Sequence, residues 1–280
     1  MQRFAQALPP ELSPKLPAEL VDSHVHLDRY PDEAVSRMVS QAEAVGVRAL
    51  LTIGTNLATS RAGLRLAGAY PAVRAAVGIH PTQVAGLPSV EEALRQLRSL
   101  LLVGAADPRA GSAHRSMMRP AALGEVGLDD SVPDLPAQSR FLAGALALAA
   151  EFSLPLVLHV MGGQPTHEAA LRLVRQQPGV RVVAHYFVDG PDLAWAYLDA
   201  GCWLSVGRPV TRPTEAAVRA AVAMIPPDRL LLETDTYPLP GRTTEPRDVT
   251  AVCAAVAELR AQTYTEIAQA TTASYWAFIG

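Results

Sequence analysis

Two histidines, His24 and His26, lie two residues apart in the apolar stretch LVDSHVHLD near the start of the chain. Along a β-strand, residues i and i+2 face the same way, so these imidazoles would project side by side. Paired imidazoles on one face are suitable ligands for a divalent metal ion. Two hydrogen-bonded core histidines would produce the same spacing. The pair therefore predicts either half of a metal site or two buried polar residues in a strand.

The other ligand-type residues share one feature, which is their place at or near the end of an apolar run. Five of the seven histidines lie there and two do not (His24, His26, His80, His159 and His185, against His114 and His167). Glu125 and Asp235 end two further runs. Burying so many polar groups without partners would cost about 1–3 kcal/mol each. A bound metal removes this cost because neutral imidazole and carboxylate become its ligands, so the pattern favours a metal site.

The number of these residues indicates more than one ion. Even four of these imidazoles, together with the two carboxylates, exceed the three protein ligands of a single catalytic tetrahedral ion. They suit two ions about 3.5–4 Å apart with a bridging carboxylate. Hydrolases of this ligand type often bridge their metals with a carboxylated lysine, but Lys15 is the only lysine and precedes the first of the apolar runs. We therefore expect Glu125 to bridge two divalent metal ions, and the imidazole-rich set favours Zn²⁺ or Mn²⁺ over Mg²⁺.

Alternating strands and helices must position these side chains. Eight short apolar runs are predicted as strands, with amphipathic segments between them (20–26, 48–54, 73–80, 121–128, 155–160, 180–187, 202–207 and 229–235). Their continuous hydrophobicity indicates a parallel sheet buried on both faces. Eight such units predict an α/β fold, a single-domain (β/α)₈ TIM barrel with its site at the C-terminal strand ends. A doubly wound open sheet is the alternative, weakened because no G-x-G-x-x-G turn follows the first strand.

The domain organisation follows from composition along the chain. Residues 1–19 have four prolines and no hydrophobic signal-peptide region, which predicts a flexible leader before a barrel over 20–280. Residues 103–120, VGAADPRAGSAHRSMMRP, interrupt the alternation and predict an inserted surface loop.

Composition also constrains location and partners. No apolar run reaches the length of about 18 residues that a membrane span requires. The two distant cysteines, Cys202 and Cys253, have no metal-ligand spacing and are expected in the core. We expect a cytoplasmic monomer, and the abundance of alanine and arginine suggests a bacterial source. The net charge of −3 provides no overall basic field for a polyanion, so a local cluster or a metal would have to bind nucleic acid.

Six short motifs resemble those of one known family in their order and spacing. They are DSHVHLD, VGIHP, GEVGLD, LVLHV, VVAHYF and LLETD, and the similarity extends from about Asp22 to the C-terminal EIAQATTASYWAFIG. Together they resemble the TatD-like metal-dependent hydrolases, the TatD deoxyribonuclease family of the amidohydrolase superfamily.

The resemblance implies a role for each ligand-type residue. His24, His26 and Asp235 would hold the first metal ion, whereas His159 and His185 would hold the second and Glu125 would bridge both. Asp235 would also accept a proton from the water between the ions and return it to the leaving group. His80 would contact the substrate phosphate. Members of the family are typically deoxyribonucleases or phosphodiesterases that use Mg²⁺, Mn²⁺ or Zn²⁺.

The chain departs from the family pattern at probable substrate contacts. The family usually has Ser-Arg after the strand-five histidine, where this chain reads HVMGGQPTH, and Phe-Ser/Thr-Gly after the strand-six histidine, where it reads HYFVDGPD. An asparagine after strand eight is replaced around Glu245. Two further residues have open interpretations. Glu233 is either a buried structural carboxylate or one that orients a histidine, and Arg208 is either a solvated loop residue or a phosphate contact.

Three functions remain open at this point. The motifs predict a metal-dependent hydrolase that cleaves a phosphodiester in DNA or in a small substrate. The altered loops and the acidic net charge leave room for a hydrolase of a non-nucleic-acid ester or amide. A catalytically silent binding protein is the third interpretation, and the complete ligand set speaks against it.

Overall fold

The computed structural model describes residues 19–105, 119–241 and 243–280, and these residues form a (β/α)₈ barrel. All seven strand pairings are parallel, and the strand order follows the chain from β1 to β8. The strands are β1 Leu20–Val25, β2 Val47–Ile53, β3 Val73–Val77, β4 Ala122–Asp129, β5 Leu156–Met161, β6 Val182–Ala184, β7 Trp203–Val206 and β8 Leu230–Leu232. The single-domain barrel predicted from the alternating pattern is confirmed.

Helices separate the strands and cover the outside of the sheet. They are α1 Asp32–Ala44, α2 Leu57–Ala69, α3 Pro81–Val84, α4 Val90–Ala105, α5 Leu135–Phe152, α6 Gln164–Arg175, α7 Pro191–Asp199, α8 Ala216–Met224, α9 Val249–Leu259 and α10 Tyr264–Ile279. None of these helices is long and apolar enough to cross a membrane.

The apolar core is divided into two layers by the strands. One layer lies between strands and helices, and the other lies on the opposite strand face, where Ala49, Leu51 and Ile53 of β2 alternate with residues of the first layer. Tyr275 and Phe278 of α10 belong to this second layer. The C-terminal helix therefore completes the core of the barrel with two fully buried aromatic rings.

Two strands are less than half as long as their apolar runs. The stretch 180–187 forms only the three residues of β6, and 229–235 only the three of β8. The residues that follow each of these two strands include a ligand-type residue, His185 or Asp235, whose amide bonds to a neighbouring strand. The amide of His185 donates to the Leu158 carbonyl, and the amide of Asp235 donates to the His24 carbonyl.

The predicted leader and loop fall mostly outside the described residues. Residues 1–18 and 106–118 are not described, whereas α4 continues to Ala105, three residues into the range predicted as a loop. Both cysteines are buried and unpaired, as expected of core residues.

The barrel closes between β1 and β8 through a few specific bonds. Val25 and Thr236 form an isolated bridge, and the amide of His26 donates to the Thr236 carbonyl at 2.8 Å. Asp22 adds side-chain bonds, because one of its oxygens accepts from the Thr234 amide at 3.0 Å and the other accepts from the Thr234 hydroxyl at 2.6 Å. The closure is therefore made by polar groups next to the ligand-type residues.

His167 is one of the histidines outside the strand ends, and its buried ring contacts a neighbouring helix. Its ring is buried in α6, and its Nδ1 lies 2.8 Å from the hydroxyl of buried Tyr197 in α7. Burial lowers the pKa of His167, although Asp189, the Gly162 carbonyl and Asp130 all act to raise it. The folded protein therefore favours the neutral imidazole.

We predict that His167 makes the protein less stable as the pH falls. Below the ordinary histidine pKa of about 6.5, the unfolded chain binds a proton that the folded chain resists. The free energy of unfolding should therefore fall from about pH 6.5 down to the lowered folded pKa. Urea unfolding at pH 8 and pH 5 should show a smaller loss for His167→Asn than for the wild type. Tyr197→Phe keeps the titrating ring and should retain the loss, and equal losses in all three proteins would contradict the assignment.

Candidate metal centre

Imidazole nitrogens from three strand ends surround one oxygen of Glu125. Its Oε1 lies 2.8 Å from His159 Nδ1, 2.8 Å from His185 Nε2 and 3.4 Å from His80 Nε2. His159 Nδ1 and His185 Nε2 are themselves 3.1 Å apart. These side chains follow β3, β4, β5 and β6, so the barrel brings together residues that are up to 105 positions apart in the chain.

The other oxygen of Glu125 faces a second group. Glu125 Oε2 lies 3.6 Å from His24 Nε2 and 3.9 Å from His26 Nε2, and these two nitrogens are 3.3 Å apart. Asp235 completes the group, because its Oδ1 lies 3.5 Å from His26 Nε2 and 3.9 Å from His24 Nε2. Glu125 is thus the carboxylate between two clusters of ligand-type atoms.

Hydrogen bonds distinguish the roles of His26 and His80. His26 Nδ1 lies 3.1 Å from the Ile53 carbonyl, which can only accept, so Nδ1 carries the proton and Nε2 presents a lone pair to the cluster. His80 is reversed, because its Nδ1 accepts from the Thr82 amide at 3.1 Å. The proton of neutral His80 therefore lies on Nε2, which faces Glu125 as a donor. His26 is suited to bind a cation, and His80 is suited to donate to an anion.

The cluster perturbs the pKa of its members. Burial acts to raise the pKa of Glu125, but the charge of His185 and hydrogen bonds from neighbouring imidazoles hold it well below its usual range. Burial also acts to raise the pKa of Asp235, but its contact with His26 and the neighbouring imidazoles lowers it. Burial lowers the pKa of His80 to about 4. The site therefore holds ionised carboxylates beside a neutral His80.

Several buried nitrogens of the cluster have no hydrogen-bond partner, and this observation tests the fit of a metal. His24 Nδ1, His159 Nε2 and Glu233 Oε2 have no hydrogen-bond partner, and His185 Nδ1 and Glu233 Oε1 lie 3.5 Å apart without a hydrogen bond. Burying such groups without partners is costly. Three sets of ligand-type atoms lie within 4.8 Å of one another: His24, His26 and Asp235; His80, Glu125 and His159; and His24, His185 and Glu233. The residues present therefore fit divalent cations.

Glu233 lies deeper than the predicted ligands. It is fully buried, and its Oε1 is 3.5 Å from His185 Nδ1. The His185 ring also stacks on His24, with ring centroids 3.9 Å apart. This position agrees with the interpretation that Glu233 orients a histidine, and it also places the carboxylate in one of the three ligand-type sets.

The structure brings all seven predicted site residues to the C-terminal ends of the strands. The cluster around Glu125 Oε1 contains His80 as well as the predicted ligands His159 and His185, with His80 distinguished by its donor tautomer. Asp22 and Thr82, which fix the closing seam and the His80 ring, received no role from the sequence. Asp22 could have been found from its spacing of two from His24, whereas no sequence signal indicates Thr82.

Two residues near the site have positive φ angles although they carry a side chain. Asp235 and Tyr186 have φ angles of 48° and 49°, which are uncommon for residues with a side chain. Tyr186 directly follows His185, and its ring lies over Gly207, where an added Cβ would come within 3.3 Å of it. Both conformations redirect the chain immediately beside a ligand-type side chain.

A parallel eight-stranded barrel with clustered imidazoles and carboxylates at its C-terminal end defines the class of metal-dependent barrel hydrolases. The model of the family described as TatD related DNase matches residues 21–280. The chain therefore belongs to the TatD family.

Individual relatives agree with this assignment. A metal-dependent hydrolase of Bacillus subtilis, YabD, described as uncharacterized, is 29% identical over 90% of this chain and 96% of its own length. A Klebsiella pneumoniae protein described as the 3′-5′ ssDNA/RNA exonuclease TatD is 31% identical over 75% of this chain and 74% of its own. The crystal structure of the TatD homologue YjjV from Escherichia coli has a TM-score of 0.79 at 27% identity, covering 92% of this chain and 97% of that one.

We predict that metal binding stabilises the fold through Glu125. An ion that binds only the folded state adds about 2.7 kcal/mol at one hundred times its Kd. Adding Mn²⁺ or Zn²⁺ to chelator-treated protein should raise the melting temperature, and the rise should be much smaller in Glu125→Gln. The control, Glu258→Gln, changes an exposed carboxylate of α9 and should keep the full rise. An unchanged melting temperature in the wild type would argue against a metal centre here.

Proposed function

We propose that this protein is a phosphodiesterase of the TatD type that cleaves single-stranded DNA with two divalent metal ions. The observation that carries the proposal is the position of Glu125 between two clusters of imidazole nitrogens, each within 4 Å of one of its oxygens. This arrangement suits a carboxylate that bridges two cations. The name of the Klebsiella relative supports nucleic acid as the substrate.

In this proposal the seven residues divide into metal ligands and groups that handle protons. His24, His26 and Asp235 would hold one ion, His159 and His185 the other, and Glu125 both. Bound divalent ions would polarise a phosphoryl oxygen and make a neighbouring water more acidic. The imidazole-rich ligand set favours Mn²⁺ or Zn²⁺.

Asp235 and His80 carry the proton chemistry in this proposal. Asp235 is ionised, so it accepts a proton from the attacking water and returns it to the leaving oxygen. His80 keeps its proton on Nε2 because Thr82 donates to its Nδ1, so it donates to a non-bridging phosphoryl oxygen. Each role uses the protonation state that its surroundings favour.

The proposed partners are single-stranded DNA or a small phosphodiester. Arg29 follows β1 and Arg208 follows β7, and both side chains are exposed at the end of the barrel that holds the cluster. They provide local positive charge for the further phosphates of a nucleic-acid strand, despite the acidic balance of the chain. A monomeric state and a cytoplasmic location stay predictions of the sequence.

We predict that single-stranded DNA and bis(p-nitrophenyl) phosphate are hydrolysed when Mn²⁺ is added. Asp235→Asn should lower kcat by about 10²–10⁴-fold, because it removes the proton acceptor. Asp228→Asn changes an exposed carboxylate before β8 and should leave kcat unchanged. The proposal fails if the metal-loaded wild type leaves both substrates intact.

A second candidate is the hydrolysis of an apolar ester or amide, and exposed side chains at the barrel mouth favour it. Met161 is 53% exposed and Val188 is 41% exposed. They follow His159 and His185 by two and three residues, in the two segments that depart from the family pattern. Apolar side chains at these places suit an uncharged group better than a phosphate chain.

The two candidates predict different substrates. In the second, Met161 and Val188, here called the apolar rim, would contact the substrate. If an apolar ester is the substrate, a lactone or aryl amide is turned over while DNA stays intact. Replacing the rim by Met161→Ser should then raise KM for the ester several-fold and leave kcat unchanged. Met38→Leu, a volume-conserving change in the core, serves as the control for general effects on the fold. Cleavage of DNA without turnover of any lactone or amide would reject this candidate.

A further inference from the structure

A cavity of about 240 Å³ lies beside the metal centre and outside it. It is formed by the residues that follow β7, by the segment before α9 and by the first turn of α9 itself. Its polar lining consists of Arg208, Thr211, Thr234, Thr243, Thr244 and Asp248. One lining residue, Thr234, directly precedes Asp235 in the chain.

The lining places an arginine in a defined position. Arg208 Nη1 donates to the hydroxyl of Thr244 at 3.1 Å, and Thr244 is only 6% exposed. The Thr211 hydroxyl donates to the Arg208 carbonyl at 2.8 Å and holds the short 3₁₀ turn Arg208–Thr211. The guanidinium keeps further N–H donors in a planar fork, which is the geometry that matches phosphate oxygens. A freely solvated loop arginine would have neither support.

The hydroxyl groups of the cavity are compatible with an anion. The Thr244 hydroxyl accepts from Arg208, so its own hydrogen is left as a donor. Asp248 is the acidic member of the lining, and its Oδ2 accepts from the Glu245 amide at 2.9 Å. The positive end of α9 begins at this point and adds to the attraction that Arg208 provides.

The location agrees with a general property of this fold. In (β/α)₈ barrels, phosphate groups are frequently bound by the loops after strands 7 and 8 together with the start of a short helix. Here the loops that follow β7 and β8 contribute Arg208 and Thr244 to the cavity. The chain has no arginine directly after His159 in β5. Arg208 follows β7, on the other side of β6 and His185, and supplies a cation there.

We propose that this cavity binds a second phosphate of the substrate, one nucleotide away from the phosphodiester that is cleaved. The proposal rests on the phosphodiesterase function argued above and makes it more specific. The enzyme prefers substrates with at least two phosphates, such as short single-stranded oligonucleotides, over isolated phosphodiesters. Arg208 is then a specificity-determining residue that contributes to binding and takes no part in the chemical step.

Kinetics with two substrates tests this role in the metal-loaded enzyme. Arg208→Gln should raise KM for a single-stranded tetranucleotide about tenfold, as expected for loss of one charge-assisted hydrogen-bond partner, with kcat unchanged. KM for bis(p-nitrophenyl) phosphate, which has one phosphate, should stay the same. The control is Arg212→Gln, an exposed arginine whose partner is Glu215 and which does not line the cavity. Equal effects on both substrates, or no effect on either, would overturn the proposal.

A crystal soaked with tungstate, a phosphate mimic, separates this inference from the proposed function. An anomalous peak beside Arg208 in the wild type, lost in Arg208→Gln, supports the cavity as an anion site. If that result comes with no cleavage of any phosphodiester, the anion site stands and the phosphodiesterase function fails. If DNA is cleaved but the peak is absent, or is unchanged in Arg208→Gln, the function stands and the cavity has no role in binding phosphate.

Discussion

The burial of one carboxylate among five imidazoles is the constraint on which the site depends. Glu125 is 3% exposed, and its two oxygens face nitrogens that come from opposite parts of the barrel. An isolated charge at such a depth would be expensive. It is tolerable because imidazoles, and in the proposed holoenzyme two cations, surround it. Removing any one of these groups leaves the others with unmatched charge or unpaired atoms, so the residues behave as a unit.

The same polar groups also close the barrel. The described part of the sheet pairs each strand with the next from β1 to β8, whereas β8 meets β1 through an isolated bridge and a few bonds around Asp22. Asp22 accepts from the His24 amide at 3.3 Å as well as from Thr234. It therefore ties the strand that carries two histidines to the segment that carries Asp235. A change that loosens this seam would also misplace three ligand-type side chains, which couples stability to the geometry of the centre.

The sequence predicted the barrel because its signal is local and repeated. Each apolar run of four to eight residues indicates a buried strand by itself, and eight of them at regular spacing leave few alternatives. The candidate site was predictable for a related reason, since the fold sends every strand end to one rim. A histidine such as His159 in an otherwise apolar strand has to be at that rim or be expensively buried.

The features that were not predictable depend on contacts between distant segments. The apolar stretches around β6 and β8 do not indicate where the strands end, because the ends are set by bonds to β5 and β1. The tautomer of His80 is decided by the Thr82 amide, and that of His26 by the Ile53 carbonyl. Backbone groups carry no mark in the sequence that assigns them to a particular imidazole. The partners of a ring are thus a tertiary property even when the ring itself is easy to find.

Apolar and positively charged side chains lie on different sides of the barrel mouth. Met161 and Val188 follow β5 and β6, whereas the arginines Arg208 and Arg29 follow β7 and β1. Asp235 follows β8 and lies between the two arginines in the order of the strands. A substrate that presents a phosphate chain gains most by lying toward β7, β8 and β1, with its less polar part over β5 and β6. The groups for catalysis and for specificity are then separated in space. The strands of the barrel position the imidazole clusters at the centre, and the loops position the side chains of the rim.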